Sequence, residues 1–365
     1  MLWLILLFSV VLAYGFTKLS IQLSLRGGVL DVPNPRSSHW QPIPRLGGLG
    51  ILAAVTVTLA GVALLKGMGL VPFRVMSREV LIMLAAGLGM AATGLYDDLY
   101  HLRPAMKFAV QVILAGGIVA LGFRFESLAV PVWGVVGLGL VSIPVTILWL
   151  AGFSNIFNFM DGINGLSAAT GFAYFVCFSL FAGSAGSPDL AMLATVFAGS
   201  CLGFLPHNFP TARTFMGDTG SLLLGITLAG YIVRLAQRSP GLLVPLLLVC
   251  SVYLWDSGYT LLRRLRRGEN IFRAHRSHLY QRLVQSGQSH ATITALYLAL
   301  HGMMGCLALA YSVSATTLRV AILLLAAFTL TGFTLAVRWR EQRAARGLSA
   351  SGAGPASSDP QEDVR

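Results

Sequence analysis

The chain has 365 residues, 55% of them hydrophobic and only 11% charged, with a net charge of +12 and a mean hydropathy of +0.73. A soluble domain carries about twice that charged share, so a soluble globular protein, a disordered chain and a disulfide-stapled secreted module are excluded. The basic residues lie between apolar runs rather than along one face, which argues for a membrane protein with basic inside loops and against a nucleic-acid partner.

A bilayer core about 30 Å thick needs roughly 20 apolar residues per helix. Such windows fall at about 2–24, 46–65, 79–96, 106–122, 133–152, 164–182, 190–206, 220–237, 241–262, 292–313 and 318–338, predicting an all-α polytopic membrane protein of about eleven spans. The first window lacks the basic start and small-residue cleavage site of a signal peptide, so it reads as a membrane helix. An outside N-terminus puts Arg26, Arg36, Arg45, Arg103, Lys107, Arg213, the Arg263–Arg267 cluster, Arg273, Arg276, Arg282 and Arg338–Arg346 in inside loops. Only Lys66, Arg74, Arg78, Arg124, Arg234, Arg238 and Arg319 then lie outside. The positive-inside rule favours that orientation, with a cytoplasmic C-terminus. Residues 1–338 are expected to form one membrane domain and 339–365 a disordered cytoplasmic tail. The four cysteines, Cys177, Cys201, Cys250 and Cys306, fall inside apolar runs and read as buried thiols.

On this topology Asp31, Asp97, Asp98, Asp161, Asp218 and Asp256 all lie in inside loops or at inside helix ends. Carboxylates near hydrocarbon are costly unless paired or bound to a cation. Asp97 and Asp98 close an apolar run in GLYDDLYHLRPAMKFAVQ. Two adjacent carboxylates repel unless a cation sits between them, so they read either as a solvated helix end facing Arg103 and Lys107 or as a site for Mg²⁺ or Mn²⁺.

Asn155, Asn158, Asp161 and Asn164 recur every third position directly after a span. Helix capping explains one of them, not four; amides and a carboxylate at that spacing suit a nucleobase or sugar. In FMGDTGS, Asp218 opens the eighth span between glycines, as an N-cap does and as a phosphate or metal site at a positive helix end also does. Asp256 either pairs with an arginine or stabilises the site. The loop RAHRSHLY sets Arg273, His275, Arg276 and His278 close together, a composition suited to phosphate oxygens or to anionic headgroups. The first loop, from Asp31 to Gly48, is proline-stiffened and carries Arg36, His39 and Arg45.

Five ordered motifs, DVPNPRSSHWQPIPRLGG, GLYDDLYHLRPAMKFAVQ, NIFNFMDGINGLSA, FMGDTGSLLLG and AHRSHLYQRL, resemble the polyprenyl-phosphate N-acetylhexosamine-1-phosphate transferases. The resemblance covers about residues 31–285. It implies transfer of a sugar-1-phosphate from a UDP-N-acetylhexosamine to undecaprenyl phosphate at the cytoplasmic face of a bacterial inner membrane. UMP leaves, and a lipid diphosphosugar initiates a surface glycan of O-antigen type. By that resemblance Asp97 and Asp98 handle metal and lipid phosphate or act as base, with Asp161 also catalytic. Asn158, Asp161 and Phe215 meet the nucleotide, and Asp218 holds the metal with Asp97 and Asp98. Arg45, Lys107, His275, Arg276 and His278 meet phosphates or sugar. The implied partners are the two substrates and membrane lipid, with a homodimer left open.

Two departures refine the match. Asn164 stands where the family often has a second Asp, so it cannot be an obligatory base. HRSH replaces the triple histidine of the muramoyl-pentapeptide enzymes, pointing to the simpler N-acetylhexosamine branch. The choice among GlcNAc, QuiNAc, FucNAc and GalNAc stays open, as does one-step against two-step chemistry. A membrane prenyltransferase needs two related Asp-rich halves that are not found. A secondary transporter needs charges at mid-bilayer, whereas these acids lie at one face.

Overall fold

The computed structural model describes residues 1–33, 40–130, 134–270 and 275–350. Arg36, His39 and Arg273 of the expected loops, and residues 351–365 of the expected tail, lie outside the described residues. Among the described residues, nine helices are long and apolar enough to cross a membrane, or ten if one bent pair counts as a span, and Pro104–Ala120 is a shorter apolar helix. All eleven apolar windows therefore appear as helical segments, and the all-α polytopic expectation holds.

The long helices are α1 (Leu2–Gly27), α2 (Gly47–Gly67), α3 (Arg78–Tyr100), α5 (Ser142–Phe159), α6 (Leu166–Ser184), α7 (Pro188–Asn208), α8 (Gly217–Arg238), α12 (His290–Val313) and α13 (Thr316–Ala350). Between them lie the shorter α4 (Pro104–Ala120), α9 (Leu243–Val249), α10 (Ser251–Arg266) and α11 (Leu279–Gln285). Loop one is pinched shut by an antiparallel pair, β1 (Leu30–Asp31) with β2 (Ile43–Pro44).

Two expectations about the apolar windows need correction. The fifth window at 133–152 begins too early. An antiparallel hairpin of β3 (Ser127–Val130) and β4 (Gly134–Gly137) takes its first residues, and α5 starts only at Ser142. A short run of glycine and valine suits a strand as readily as an apolar helix start. The ninth window, 241–262, is not straight: α9 and α10 meet at 71°, and α10 carries Arg263, Arg264 and Arg266 in its last turn. At the C-terminus, α13 runs past residue 338 to Ala350. Of the four thiols, Cys201 and Cys250 are buried, Cys177 is half-buried and Cys306 is exposed on α12.

The core is built on α7 and α8, whose apolar windows are 83% and 94% buried; those of α1 and α13, at 28%, belong to peripheral helices. Lipid tails are as apolar as leucine, so close helix contact depends on small residues. Gly199 and Gly203 supply it on α7: a Cβ at Gly203 would lie 2.2 Å from the Val10 carbonyl oxygen of α1. The α3–α8 crossing follows the same logic, and that crossing positions the site.

Candidate active site

Helices α3 and α8 run antiparallel, so the C-terminal end of one lies beside the N-terminal end of the other. At that junction Gly94 lets the backbones touch: a Cβ there would stand 2.3 Å from the Asp218 carbonyl oxygen. One turn further along α3, Asp98 is fully buried. Its carboxylate accepts from the backbone amides of Asp218 and Thr219, each at 3.0 Å, and from Thr219 Oγ1 at 2.8 Å. These amides are among the unsatisfied donors at the start of a helix. Asp98 thus caps α8 from another helix, where an N-cap side chain in sequence would otherwise act. Gly217, with φ 66°, completes the turn; a Cβ there would stand 2.6 Å from Asp98 Oδ2.

Arg45 reaches Asp98 from loop one, Nε to Oδ1 at 3.0 Å. Strand β2, just before it, is stitched to the start of α8, because Phe215 N donates to Pro44 O at 2.8 Å and Thr214 Oγ1 to the same oxygen at 2.9 Å. Gly47 N and Gly48 N donate back to Phe215 O and Met216 O at 3.0 and 2.9 Å. Phe215 is half-buried beside the site.

Asp97 faces the other way and keeps 13% of its side chain exposed. It accepts from Leu102 N at 2.6 Å, which closes the α3–α4 corner, and from Lys107 Nζ at 3.2 Å. The same ammonium contacts Asp218 Oδ2. Asp218 also accepts from Asn158 Nδ2 at 3.0 Å, and that amide reaches Ser221 Oγ at 2.8 Å. Four helix ends, those of α3, α4, α5 and α8, are therefore tied through one Lys, two Asp and one Asn.

Asp161 follows α5 in the loop to α6, its amide bonded to Asn158 O at 3.1 Å. Burial pushes its carboxyl up to about 7, and the negative charges of Asp218 and Asp98 push the same way, against Ser167 and Arg45. The expected convergence of Asp97, Asp98, Asn158, Asp161, Phe215, Asp218, Arg45 and Lys107 at one end of the bundle is what the structure contains.

The HRSH loop joins the same end more loosely. Asp256 accepts from His278 Nδ1 at 3.2 Å, from Leu279 N at 2.8 Å, from Tyr280 N at 3.3 Å and from Tyr297 Oη at 2.6 Å. It therefore organises the loop rather than pairing with an arginine. Tyr280 Oη then donates to Phe159 O at 3.0 Å, next to Asn158, and Gly162 leaves it room: a Cβ there would meet that hydroxyl at 2.0 Å. His275 bonds Ser277 Oγ at 2.9 Å. Burial, then the neighbouring His278 and Arg264, hold its imidazole down at about 4, which favours the neutral ring near pH 7. Asn164 is structural: Nδ2 donates to Pro210 O at 3.0 Å, and its carbonyl accepts from Thr294 Oγ1 at 2.8 Å.

Sequence reasoning overlooked Thr219 and Ser221, although both sit in the FMGDTGS motif, and it gave no role to Gly94, Tyr280 or Tyr297. A glycine four residues before Asp98 on one helix face was a readable signal; the tyrosines carried none.

The donor set can be tested against a hard divalent cation. Among the described residues, no three His, Cys, Asp or Glu side chains converge as a closed cage. Mg²⁺ binds through one or two carboxylates plus substrate phosphates, and Asp97 with Asp218 offers that pair. Lys107, clasped by both, shows that positive charge is accommodated between them. Asp98 fits less well as a direct ligand, because its two oxygens are already engaged by α8 and Arg45.

Comparison with known proteins places this geometry. The glycosyl transferase family 4 model matches residues 80–236, which hold Asp97, Asp98, Asn158, Asp161 and Asp218. A decaprenyl-phosphate N-acetylglucosaminephosphotransferase of Mycobacterium leprae (strain TN) is 34% identical over 316 residues, covering 79% of this chain and 78% of that protein. An undecaprenyl-phosphate alpha-N-acetylglucosaminyl 1-phosphate transferase of Yersinia pestis is 28% identical over 355 residues, 93% and 92% of the two chains. A phospho-N-acetylmuramoyl-pentapeptide-transferase of Shouchella clausii (strain KSM-K16) is also 34% identical, but over only 51% of this chain and 59% of its own. The chain therefore belongs to glycosyl transferase family 4, on the side of its polyprenyl-phosphate N-acetylglucosamine transferases rather than its muramoyl-pentapeptide branch.

Proposed function

We propose that this chain transfers N-acetylhexosamine-1-phosphate from a UDP-linked donor to undecaprenyl phosphate, releasing UMP and forming the lipid diphosphosugar that starts a surface glycan of O-antigen type. The observation that carries this reading is the Lys107 ammonium held between Asp97 and Asp218 where four helix ends meet. Phosphorylated reactants need positive charge supplied at a fixed point, and a lipid acceptor needs that point at a membrane surface.

A phosphate monoester is largely dianionic near neutral pH, so an acceptor oxygen attacks the sugar-bearing phosphorus directly. The bond from that phosphorus to the oxygen shared with the uridine phosphate breaks, and UMP leaves with the electron pair. Lys107 and Arg45 steady the phosphates by charge. Asn158 and Asp161, at the end of α5, read the nucleotide with Phe215 beside the base, and the His275–His278 loop meets the sugar and diphosphate. Asp218 and Asp97, with Asp98 behind them, would hold Mg²⁺ or Mn²⁺, which when bound would supply charge neutralisation. We take the reaction to lie at the cytoplasmic face of a bacterial inner membrane, a reading supported by the basic loops expected on that side.

The test is UMP release by purified protein given UDP-GlcNAc and undecaprenyl phosphate together. Release that needs both substrates and stops with a chelator supports the reading; release from UDP-GlcNAc alone, or a phospho-aspartyl adduct formed without acceptor, contradicts direct transfer.

A further inference from the structure

The stretch after residue 338, expected as a tail, makes a contact through Glu341. Helix α13 has 35 residues, about 52 Å at 1.5 Å per residue, against a hydrocarbon core of about 30 Å. Trp339, 54% exposed, has the Arg343 guanidinium 4.2 Å from its ring centroid, an arrangement suited to the edge of a membrane. Glu341 lies just beyond it and takes Arg282 in a two-pronged pair, Nε to Oε1 at 2.5 Å and Nη2 to Oε2. The Arg282 side chain is only 5% exposed, and its guanidinium also lies over the Tyr259 ring of α10 at 6.0 Å. An arginine that deep is costly without its carboxylate.

Arg282 belongs to α11, and α11 is the frame of the HRSH loop. His278 is its N-cap, with its amide held by Gln281 Oε1 at 3.2 Å. Gln285 Nε2 holds the Arg276 carbonyl at 3.0 Å. One side of α11 docks on the α5 end through Tyr280 and Phe159; the other is gripped by α13 through Glu341.

We propose that the extension of α13 beyond the membrane is a strap, with Glu341 and Arg282 as positioning residues that seat the His275–His278 loop for the diphosphate-sugar donor. The strap rests on the reading of that loop as donor-binding. Arg282 sits one turn from His278 on a rigid seven-residue helix, so a shift at Arg282 is carried directly to His278. The acceptor lipid phosphate is not touched by this loop in the proposed arrangement, so its KM is unaffected.

Steady-state kinetics on the full chain test this, with donor and acceptor varied separately for Glu341→Gln, the swap Arg282→Glu with Glu341→Arg, and the loop variants His275→Ala and Arg276→Ala. The strap predicts that Glu341→Gln raises donor KM about tenfold, the equivalent of roughly 1.4 kcal/mol. The kcat and the acceptor KM stay within about twofold, and the swap recovers most of the loss. Should Glu341→Gln fail to accumulate, Glu341→Asp, one methylene shorter with its charge kept, reads the same KM. Two results overturn the strap: unchanged donor KM in Glu341→Gln while the loop variants raise it, or a fall in kcat alone. If the loop variants themselves leave donor KM unchanged, the donor-binding reading of the loop fails and the strap falls with it.

Discussion

The two ends of the α3–α8 pair differ in how charge is balanced. At one end Glu79 alone meets two arginines, Arg234 at 2.6 Å and Arg238 at 3.3 Å, and Arg238 also reaches Ser187 Oγ. At the other end Asp97, Asp98 and Asp218, with Asp161 nearby, face Lys107 and Arg45 as their cationic partners among the described residues. The same two helices thus carry a closed staple at one end and an excess of acid at the other. The staple leaves no carboxylate unpaired, and its one surplus positive charge is spread over two partly exposed arginines. An acidic excess near hydrocarbon is tolerated where a cation or a substrate completes it.

If the acidic end is the reactive one, its variants lose chemistry and those of the stapled end lose only stability. Asp218→Asn should cut turnover by about 10³-fold, the scale of losing one aligned charge in a transition state, while size-exclusion and melting behaviour stay close to wild type. Retained turnover at saturating Mg²⁺ contradicts the assignment. Gly94→Ala should cost about 3 kcal/mol through overpacking, because the new methyl must push the start of α8 off Asp98; a wild-type melting temperature would show that the crossing is not tight. The sharpest contrast pairs Thr219→Val with Glu79→Gln. Each should cost about 1 kcal/mol of stability, but only Thr219→Val, which loosens Asp98, should lower kcat/KM. Equal kinetic losses would erase the distinction between the ends.

The smallest effect is a pH dependence. His275 is held down from 6.5 to about 4, so the fold favours its neutral form. That stability is fully present above pH 6.5 and is lost as pH falls through about 4. The melting temperature of the ligand-free protein should therefore decline on acidification across that window, and His275→Gln should make the decline shallower.

The membrane body and the acidic end were legible because both depend on local pattern. Apolar windows mark helices, and GLYDD and FMGDTGS place their acids where an apolar run stops or starts. What was not legible is pairing across distance. Nothing in either motif says that the Asp98 carboxylate will cap Thr219, 121 residues away, or that Asp256 will take the Tyr297 hydroxyl. The break at Cys250 escaped because α9 and α10 are both apolar enough to read as one span, and hydropathy does not encode a bend. Hairpin β3–β4 escaped for the reason that short runs of Val and Gly fit strand and helix alike. Glu341 escaped because a polar stretch beyond the last span looks the same whether it is loose or gripped by one buried arginine.

The central claim is that Asp97 and Asp218 form one divalent-cation site at the end of the bundle where the phosphates meet. Mn²⁺ binding to the purified protein, followed by electron paramagnetic resonance, tests it most directly. The account predicts a bound-ion signal that weakens sharply in Asp97→Asn and in Asp218→Asn and persists in Glu79→Gln. Undiminished Mn²⁺ binding in both aspartate variants would contradict it.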